Sequence, residues 1–407
     1  AFLLSNSELV YQILNLQHRI SATGKLVCYF TNWSQYRTGA GKFLPETIDP
    51  FLCTHLVYAF AIINYDHEVI QQDQPGEKRL YVSFLYLKDR NPHLKMLLSI
   101  RDDDRHQLST MMSTPGSRQI FIQSAVRFLR THSFDGLDLN WQYSESSPVD
   151  ENRRFTLLCK VKQTELSEAF KDESSGGGSA QLLLSVAVAT QTGIHLRYEP
   201  FEIHTEKLFP LSYQDYVIRS WIKGGTPAGK LLLGFPVHAR SFTLLAPGLT
   251  TSGICFLLQT CSFLEGTSVH WIKAQKVVYA VKGNQWVGFD NQRSYDAKVT
   301  FLKSRQLGGA AVWTLDMDDF SGQFCGQGKY PLISHLKDKL SQGETASSDS
   351  RMDKTMQILH PSALVSTLVR GKSRLSLFWT MIKSIRYQYL EQEFIQDIEK
   401  KSIWFQT

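Results

Sequence analysis

Short apolar runs rich in β-branched and aromatic residues recur along the chain, at 26–30, 55–61, 95–100, 136–141, 182–188, 230–236 and 310–315. Between several of them the apolar spacing changes from that of a strand to that of a helix. In 117–131, Ile120, Ile122, Ala125, Val126, Phe128 and Leu129 fall at near-helical spacing, and 152–170 reads the same way. Strand and helix in repeated alternation build parallel βαβ units, so the pattern predicts an α/β protein. Most runs start about 30 to 50 residues apart, which suits a (β/α)8 TIM barrel better than a nucleotide-binding sheet. No GxGxxG or GxxxxGK[ST] follows a run, so the phosphate-cradling folds lack their motif and no cofactor is expected.

The alternation breaks in two places. From Phe242 the helical pattern stops, and the next barrel-like strand waits until Ala310, which predicts a small α+β insertion at about 242–300. Only 41 residues, 189–229, separate the fifth run from the sixth, which is short for a helix, a strand and a second helix. One strand-helix segment of the barrel is therefore expected to be missing. Gly176-Gly177-Gly178, between serines, reads as a flexible surface loop. The chain divides into an atypical N-terminal segment at 1–24, a barrel at 25–340, and a linker and tail at 341–407. The first 24 residues lack the basic start and apolar stretch of a signal peptide. The tail carries a basic stretch with Leu375, Phe378, Ile382 and Ile385, read as loosely attached rather than as a membrane-surface or partner helix.

Composition narrows the function classes. A formal net charge of +6 without basic blocks makes no case for nucleic acid. No apolar run approaches the roughly 18 residues of a membrane span. Six cysteines include no CxxC pair, and the twelve histidines are scattered, so no metal site is expected. From spacing alone the cysteines fit either buried thiols or bridges.

The informative stretch is Asp135-Gly136-Leu137-Asp138-Leu139-Asn140-Trp141-Gln142-Tyr143. Alternation puts Asp138, Asn140 and Gln142 on one face and Leu137, Leu139 and Trp141 on the other. In a barrel the polar face points inward, and the C-terminal ends of the strands are where such folds keep their sites.

With these residues the chain resembles the family-18 glycoside hydrolases, the chitinases and chitinase-like lectins, and its wording is similar to that of the chitinase-3-like proteins. The resemblance runs from about Lys25 to Leu340. It rests on Lys25-Leu-Val-Cys-Tyr-Phe-Thr-Asn-Trp33, Phe51-Leu-Cys-Thr-His-Leu-Val-Tyr-Ala-Phe60, Phe134-Asp-Gly-Leu-Asp138, Asn284-Gln-Trp-Val-Gly-Phe-Asp290 and Val312-Trp-Thr-Leu-Asp-Met-Asp-Asp-Phe320. It implies a TIM barrel with an α+β insertion, a secreted extracellular protein, a monomer, and bridges Cys28–Cys53 and Cys261–Cys325, leaving Cys159 and Cys255 free.

The family's catalytic motif is Asp-x-x-Asp-x-Asp-x-Glu, whose Glu protonates the glycosidic oxygen while the substrate's own N-acetyl group attacks. Asp135 and Asp138 are kept, but Asn140 replaces the last Asp and Gln142 replaces the acid. A primary amide has no proton to release near neutral pH. Glu145 falls outside the inward register. The resemblance therefore implies no intact catalytic set and a lectin for chitin-type N-acetylglucosamine oligomers. An active chitinase and a degraded product without stable function are the alternatives. The sugar-binding residues it implies are Tyr29, Trp33, Phe60, Tyr143, Arg240 and Trp313, the last as the floor under the sugar. Departures bear on binding too. Arg101-Asp102-Asp103 stands where the family has Gly-Gly-Trp, His238 replaces a Tyr, and a Met-x-Tyr-Asp strand is not found. The sequon Asn32-Trp33-Ser34 is expected to go unused, because it sits at a strand end facing the cleft.

Overall fold

The structure is a computed structural model that describes residues 24–72, 76–101, 107–141, 165–177, 180–188, 211–223, 225–246, 249–255 and 257–342. Seven parallel strands form a curled sheet: β1 (Lys25–Thr31), β2 (His55–Ile63), β4 (Lys95–Arg101), β5 (Gly136–Trp141), β6 (Leu183–Val188), β7 (Leu232–Pro236) and β13 (Gly309–Trp313). A two-residue strand β3 (Val69–Ile70) folds back antiparallel on β2. The order is β6-β5-β4-β2-β1-β13-β7. This is the (β/α)8 sequence of neighbours with one place open: among the described residues nothing pairs with the outer edges of β6 and β7. Between those two strands the helix Leu211–Lys223 is described, and 189–210 lie outside the described residues.

The strands are buried on both faces, as a covered parallel sheet demands. Their outward residues, among them Leu26, Cys28, Phe30, Leu98, Leu137, Leu233 and Phe235, join one large apolar core with the surrounding helices. Their inward residues Val27, Tyr29, Val57, Ala59, Leu97, Leu232 and Ala311 form a second, smaller core inside the sheet's curl. Two flanking helices begin on side-chain caps. Thr114 and Ser117 close a capping box on Pro115–Thr131, and Asn291 and Ser294 do so on Gln292–Ser304. Gly136 opens β5 because a Cβ there would stand 2.3 Å from the carbonyl oxygen of Leu183 on β6. The helix Glu165–Gly177 corrects one expectation: it runs through Gly176 and Gly177 rather than giving way to a loop. Ser174 and Ser175 donate their hydroxyls to the Lys171 carbonyl, and Arg130 pairs with Glu173, so the last turn is tied down despite its glycines.

After β7 come the strands β8 (Ala239–Ala246) and β9 (Leu249–Cys255), then a helix (Leu257–Leu264) and a meander of β10 (Val269–Ile272), β11 (Val277–Lys282) and β12 (Gln285–Phe289). The meander is antiparallel and packs Val278, Ala280, Val287 and Phe289 into its own cluster. The helix Gln292–Ser304 then leads into β13. Residues 242–252 group with 345–407 as a separate compact unit, of which the structure describes only strand segments within 242–252.

Two disulfides are present. Cys28–Cys53 joins β1 to the segment before β2, and Cys261–Cys325 joins the Leu257–Leu264 helix to the segment after β13.

Candidate carbohydrate site at the barrel mouth

Inside the curl the residue chemistry changes with height. The lower layer is apolar. One layer up, Asp138 is fully buried and fully engaged: it accepts hydrogen bonds from the Tyr29 hydroxyl at 3.0 Å and from the Ser99 and Ser185 hydroxyls at 2.6 Å each. The donors come from β1, β4 and β6, so this carboxylate cross-links three strands around β5. Two residues further up β5 stands Asn140, 2% exposed, whose Nδ2 has no hydrogen-bond partner among the described residues. Its register partner on β4 is Arg101. Asp135 is at the opposite end of β5, where it meets Lys88 at 2.9 Å and Lys95 at 3.7 Å and accepts from the Met96 backbone N–H. That residue fastens strands and helix at the far side of the sheet and takes no part at the mouth. Gln142 and Tyr143 lie outside the described residues, as does Glu145.

Four of the expected aromatics come together. Trp33 stacks on Phe60 at 5.8 Å, and Phe60 stacks on Trp313 at 6.0 Å, so three rings stand in a near-parallel series. Tyr29 leans on Trp313 at 5.0 Å. Phe60 and Tyr29 are buried, Trp313 is half-buried, and Trp33 is 37% exposed, so a buried middle ring is flanked by two rings that reach solvent. The Arg101 guanidinium lies 5.0 Å above the Phe60 ring.

Phe60 reaches this series through a backbone irregularity. Strict alternation along β2 would turn it outward with Tyr58, which packs in the outer core. The ladder to β4 instead slips between Ala59 and Ala61, and Phe60 joins Ala59 in the inner cluster. A bulge of this kind re-aims one side chain. Sequence reasoning picked out Phe60 by motif; no local signal announced the bulge.

Sequence reasoning passed over the acidic run that follows β13. Asp316 accepts from the hydroxyls of Thr31 at 2.9 Å and Thr314 at 2.6 Å, and forms an ion pair with Arg37. It thereby pins the end of β1, two residues before Trp33, to the end of β13, which carries Trp313. Asp318 accepts the Leu332 and Ile333 N–H groups at the start of the helix Pro331–Ser341, and burial raises its pKa to about 6 against those hydrogen bonds. Asp319 accepts four backbone N–H groups from Gly322 to Cys325, folding the loop that holds one end of the second disulfide. The available signal was three buried-type aspartates in four residues next to an apolar strand.

His238 follows β7 and is 5% exposed. Its pKa is lowered to about 4, first by burial and then by the charge of Arg240, against a hydrogen bond with the Trp313 backbone. Its Nδ1 has no partner among the described residues. A neutral ring of this kind fits packing or ligand contact better than a proton-transfer role near neutral pH. The sequon is structurally occupied: Asn32 is 3% exposed and donates to Gln72, and the Ser34 hydroxyl donates to the Thr31 and Phe43 carbonyls. Among the described residues no cluster of His, Cys, Asp or Glu could hold a metal.

Comparison with known proteins places this arrangement. The profile of glycosyl hydrolases family 18 matches residues 25–208 and 210–318. Human oviduct-specific glycoprotein is 39% identical over 385 residues, covering 83% of this chain and 56% of that protein, so the chain spans little more than half of that relative. Mouse chitotriosidase-1 is 37% identical over 374 residues, covering 79% of each. The solved structure of human YKL-39, described as a pseudo-chitinase with retained chitooligosaccharide binding properties, superimposes with a TM-score of 0.69 at 37% identity. It covers 78% of this chain and 99% of that one. With the profile matched over most of the chain and the barrel and aromatic mouth in place, the chain belongs to the glycosyl hydrolases of family 18.

Proposed function

We propose that this chain is a lectin for chitin-type N-acetylglucosamine oligomers that does not hydrolyse them. The observation that carries the reading is the near-parallel series Trp33–Phe60–Trp313. Sugar rings have apolar C–H faces, and flat aromatic rings stack on them while excluding water. Trp313 is the floor, with Trp33 and Tyr29 across the same cleft, and Arg240 and Tyr143 as polar contacts. The barrel at 25–340 is the binding unit.

Catalysis needs a group that protonates the leaving oxygen, and the chain has Gln142 at that position and Asn140 beside it. An amide donates a hydrogen bond but does not give up its proton. General acid catalysis is worth about 10²- to 10⁴-fold, and the missing carboxylate charge removes further stabilisation. The fully engaged Asp138 is no substitute, since all its described contacts are structural. The relatives include a chitotriosidase as well as a pseudo-chitinase, and the two amides favour the second kind. The two disulfides favour an oxidising, extracellular setting.

The test is equilibrium dialysis of the protein against the N-acetylglucosamine tetramer, followed by chromatography of the recovered sugar. The reading predicts retained, intact tetramer. Shorter products above a protein-free blank would make the chain an enzyme, and no retention would remove the lectin assignment.

A further inference from the structure

The lower end of the sheet, opposite the candidate sugar site, carries a cluster of charge that sugar binding does not use. Three adjacent strands each begin on a basic or titratable residue: Lys25 on β1, His55 on β2 and Lys95 on β4. Counting back by twos from Val27, Val57 and Leu97, which pack in the inner cluster, puts all three on the inner face. In the ladder His55 is the partner of Lys95 on one side and of Val27, two residues on from Lys25, on the other. Asp135 stands beside them, but its carboxylate is already engaged by Lys88 at 2.9 Å, by the Met96 N–H at 2.8 Å and by Lys95 at 3.7 Å. Lys25 enters no ion pair among the described residues. Three lysines against one aspartate leave the cluster two positive charges in excess. Residues 1–23, which precede it and lie outside the described residues, hold one acidic and one basic residue, Glu8 and Arg19, and so bring no net charge.

His55 registers that excess. Its pKa is lowered by burial first and then by the charges of Lys25 and Lys95, with Asp135 opposing. Its Nδ1 lies 2.8 Å from the Thr54 hydroxyl, which accepts the Leu26 N–H and gives its one proton to the Leu26 carbonyl, each at 2.9 Å. Nδ1 therefore carries the ring proton and donates it to Thr54, and Nε2 is left as a bare acceptor. An anion held by Lys25 and Lys95 reverses the field at the ring, so that Nε2 takes up a proton from solvent and donates it in a charge-assisted hydrogen bond. We infer that Lys25, His55 and Lys95 form a binding site for a doubly charged oxyanion, a sulfate or phosphate group, at the lower end of the barrel. The excess charge of the cluster matches that of the anion, and two ammonium groups with one imidazole supply N–H donors to its several oxygens. The group is either a free ion or an ester on a larger molecule. The site is separate from the aromatic mouth and does not depend on the lectin reading.

Sulfate is the probe, because its charge does not change across the range in which His55 titrates, and chloride holds the ionic strength constant. The His55 ring resonance, identified by its loss in His55→Gln, should shift saturably with sulfate. Its titration should move up from about 4 towards the ordinary 6.5. Sulfate affinity should rise as pH falls through that range in wild type and stay flat in His55→Gln. Lys25→Gln and Lys95→Gln should each weaken it about two- to fivefold, the size expected of an exposed charge. Both lysines reach solvent, so neither substitution removes a core contact. A sugar sulfate titrated beside the inorganic ion separates the two sources: tighter binding of the ester points to a sulfated ligand, equal or weaker binding to the free ion, and both support the site. No saturable shift at constant ionic strength overturns the inference, and so does binding that neither lysine substitution weakens.

Discussion

At the residue scale the account turns on single groups whose environment is unlike water. His238 is buried and His55 half-buried, and both have pKa values lowered to about 4. Burial comes first in each case, followed by Arg240 for His238 and by Lys25 and then Lys95 for His55. Above the ordinary value of 6.5 folded and unfolded forms are alike neutral. As pH falls below it, the unfolded chain takes up protons that the native state refuses, so stability present above pH 6.5 is lost down to about pH 4. Each group is worth about 3 kcal/mol over that window. Asp318 has the opposite sign. Its raised pKa lets the native state keep a proton, so its contribution is full below the ordinary 3.8 and is lost as pH rises through about 6. Burial also lowers the pKa of His132, so three histidines against one aspartate leave net acid destabilisation. The melting temperature should fall between about pH 6.5 and pH 4, and His238→Gln should flatten that fall; an unchanged profile in the variant would show that His238 titrates normally. Gln142→Glu belongs to the same scale. It restores the acid and leaves Asn140 an amide, so release of a fluorescent leaving group from a chitobioside should remain far below that of an active chitinase, and full rescue by this one change would show the role given to Asn140 to be overstated.

At the element scale, strand ends are held in place by buried polar ties. Asp316 binds Thr31, Thr314 and Arg37, and so sets the distance between Trp33 and Trp313. Asp316→Ala would remove the carboxylate that pairs with Arg37 and bonds Thr31 and Thr314, and breaking a partly buried pair in this way costs about 3 kcal/mol. It should lower the melting temperature and weaken binding of the tetramer together, whereas Arg37→Ala with Asp316 intact should do both less, because the threonine hydroxyls still hold the carboxylate. Thermal melts and binding isotherms on the pair of variants check this. How legible the elements were depended on the physics behind each. The strands showed themselves because burial on both faces leaves an unbroken apolar run, and the 117–131 helix because its core residues repeat at 3.6. The bulge at Phe60 was invisible, since it is a slip in pairing to β4 and not a property of the local residues. The helix running on into Gly176 was missed because one of its ties comes from Arg130, over forty residues away. The aspartate run was visible, and its three separate duties were not, since each depends on which distant N–H or hydroxyl arrives.

For the whole molecule, covalent and packing constraints must hold a sheet whose β6 and β7 edges have no described partner. In the loop-entropy view, bridges closing loops of 25 and 64 residues contribute about 3.5 and 4 kcal/mol. Replacing Cys28 and Cys53 by serine should therefore cost about 3.5 kcal/mol, a large part of the roughly 5–15 kcal/mol that holds a typical domain; denaturant titration of the double variant checks this, and a midpoint within error of wild type would refute it. The family motif made the site legible before any coordinates, because motif residues cluster at strand ends. What it could not supply was the split between Asp135, fastening the far end of β5, and Asp138, knitting the barrel interior. The central claim is that the aromatic series at the mouth is where sugar docks. Titration calorimetry of the N-acetylglucosamine tetramer against wild type and Trp313→Ala addresses it most directly. A buried aromatic anchor is worth about 2 kcal/mol or more on truncation, roughly a thirtyfold change in affinity. Saturable binding by wild type, weakened by that order in Trp313→Ala and with no continuing heat of hydrolysis, is the predicted result; equal binding by the two proteins would contradict the account.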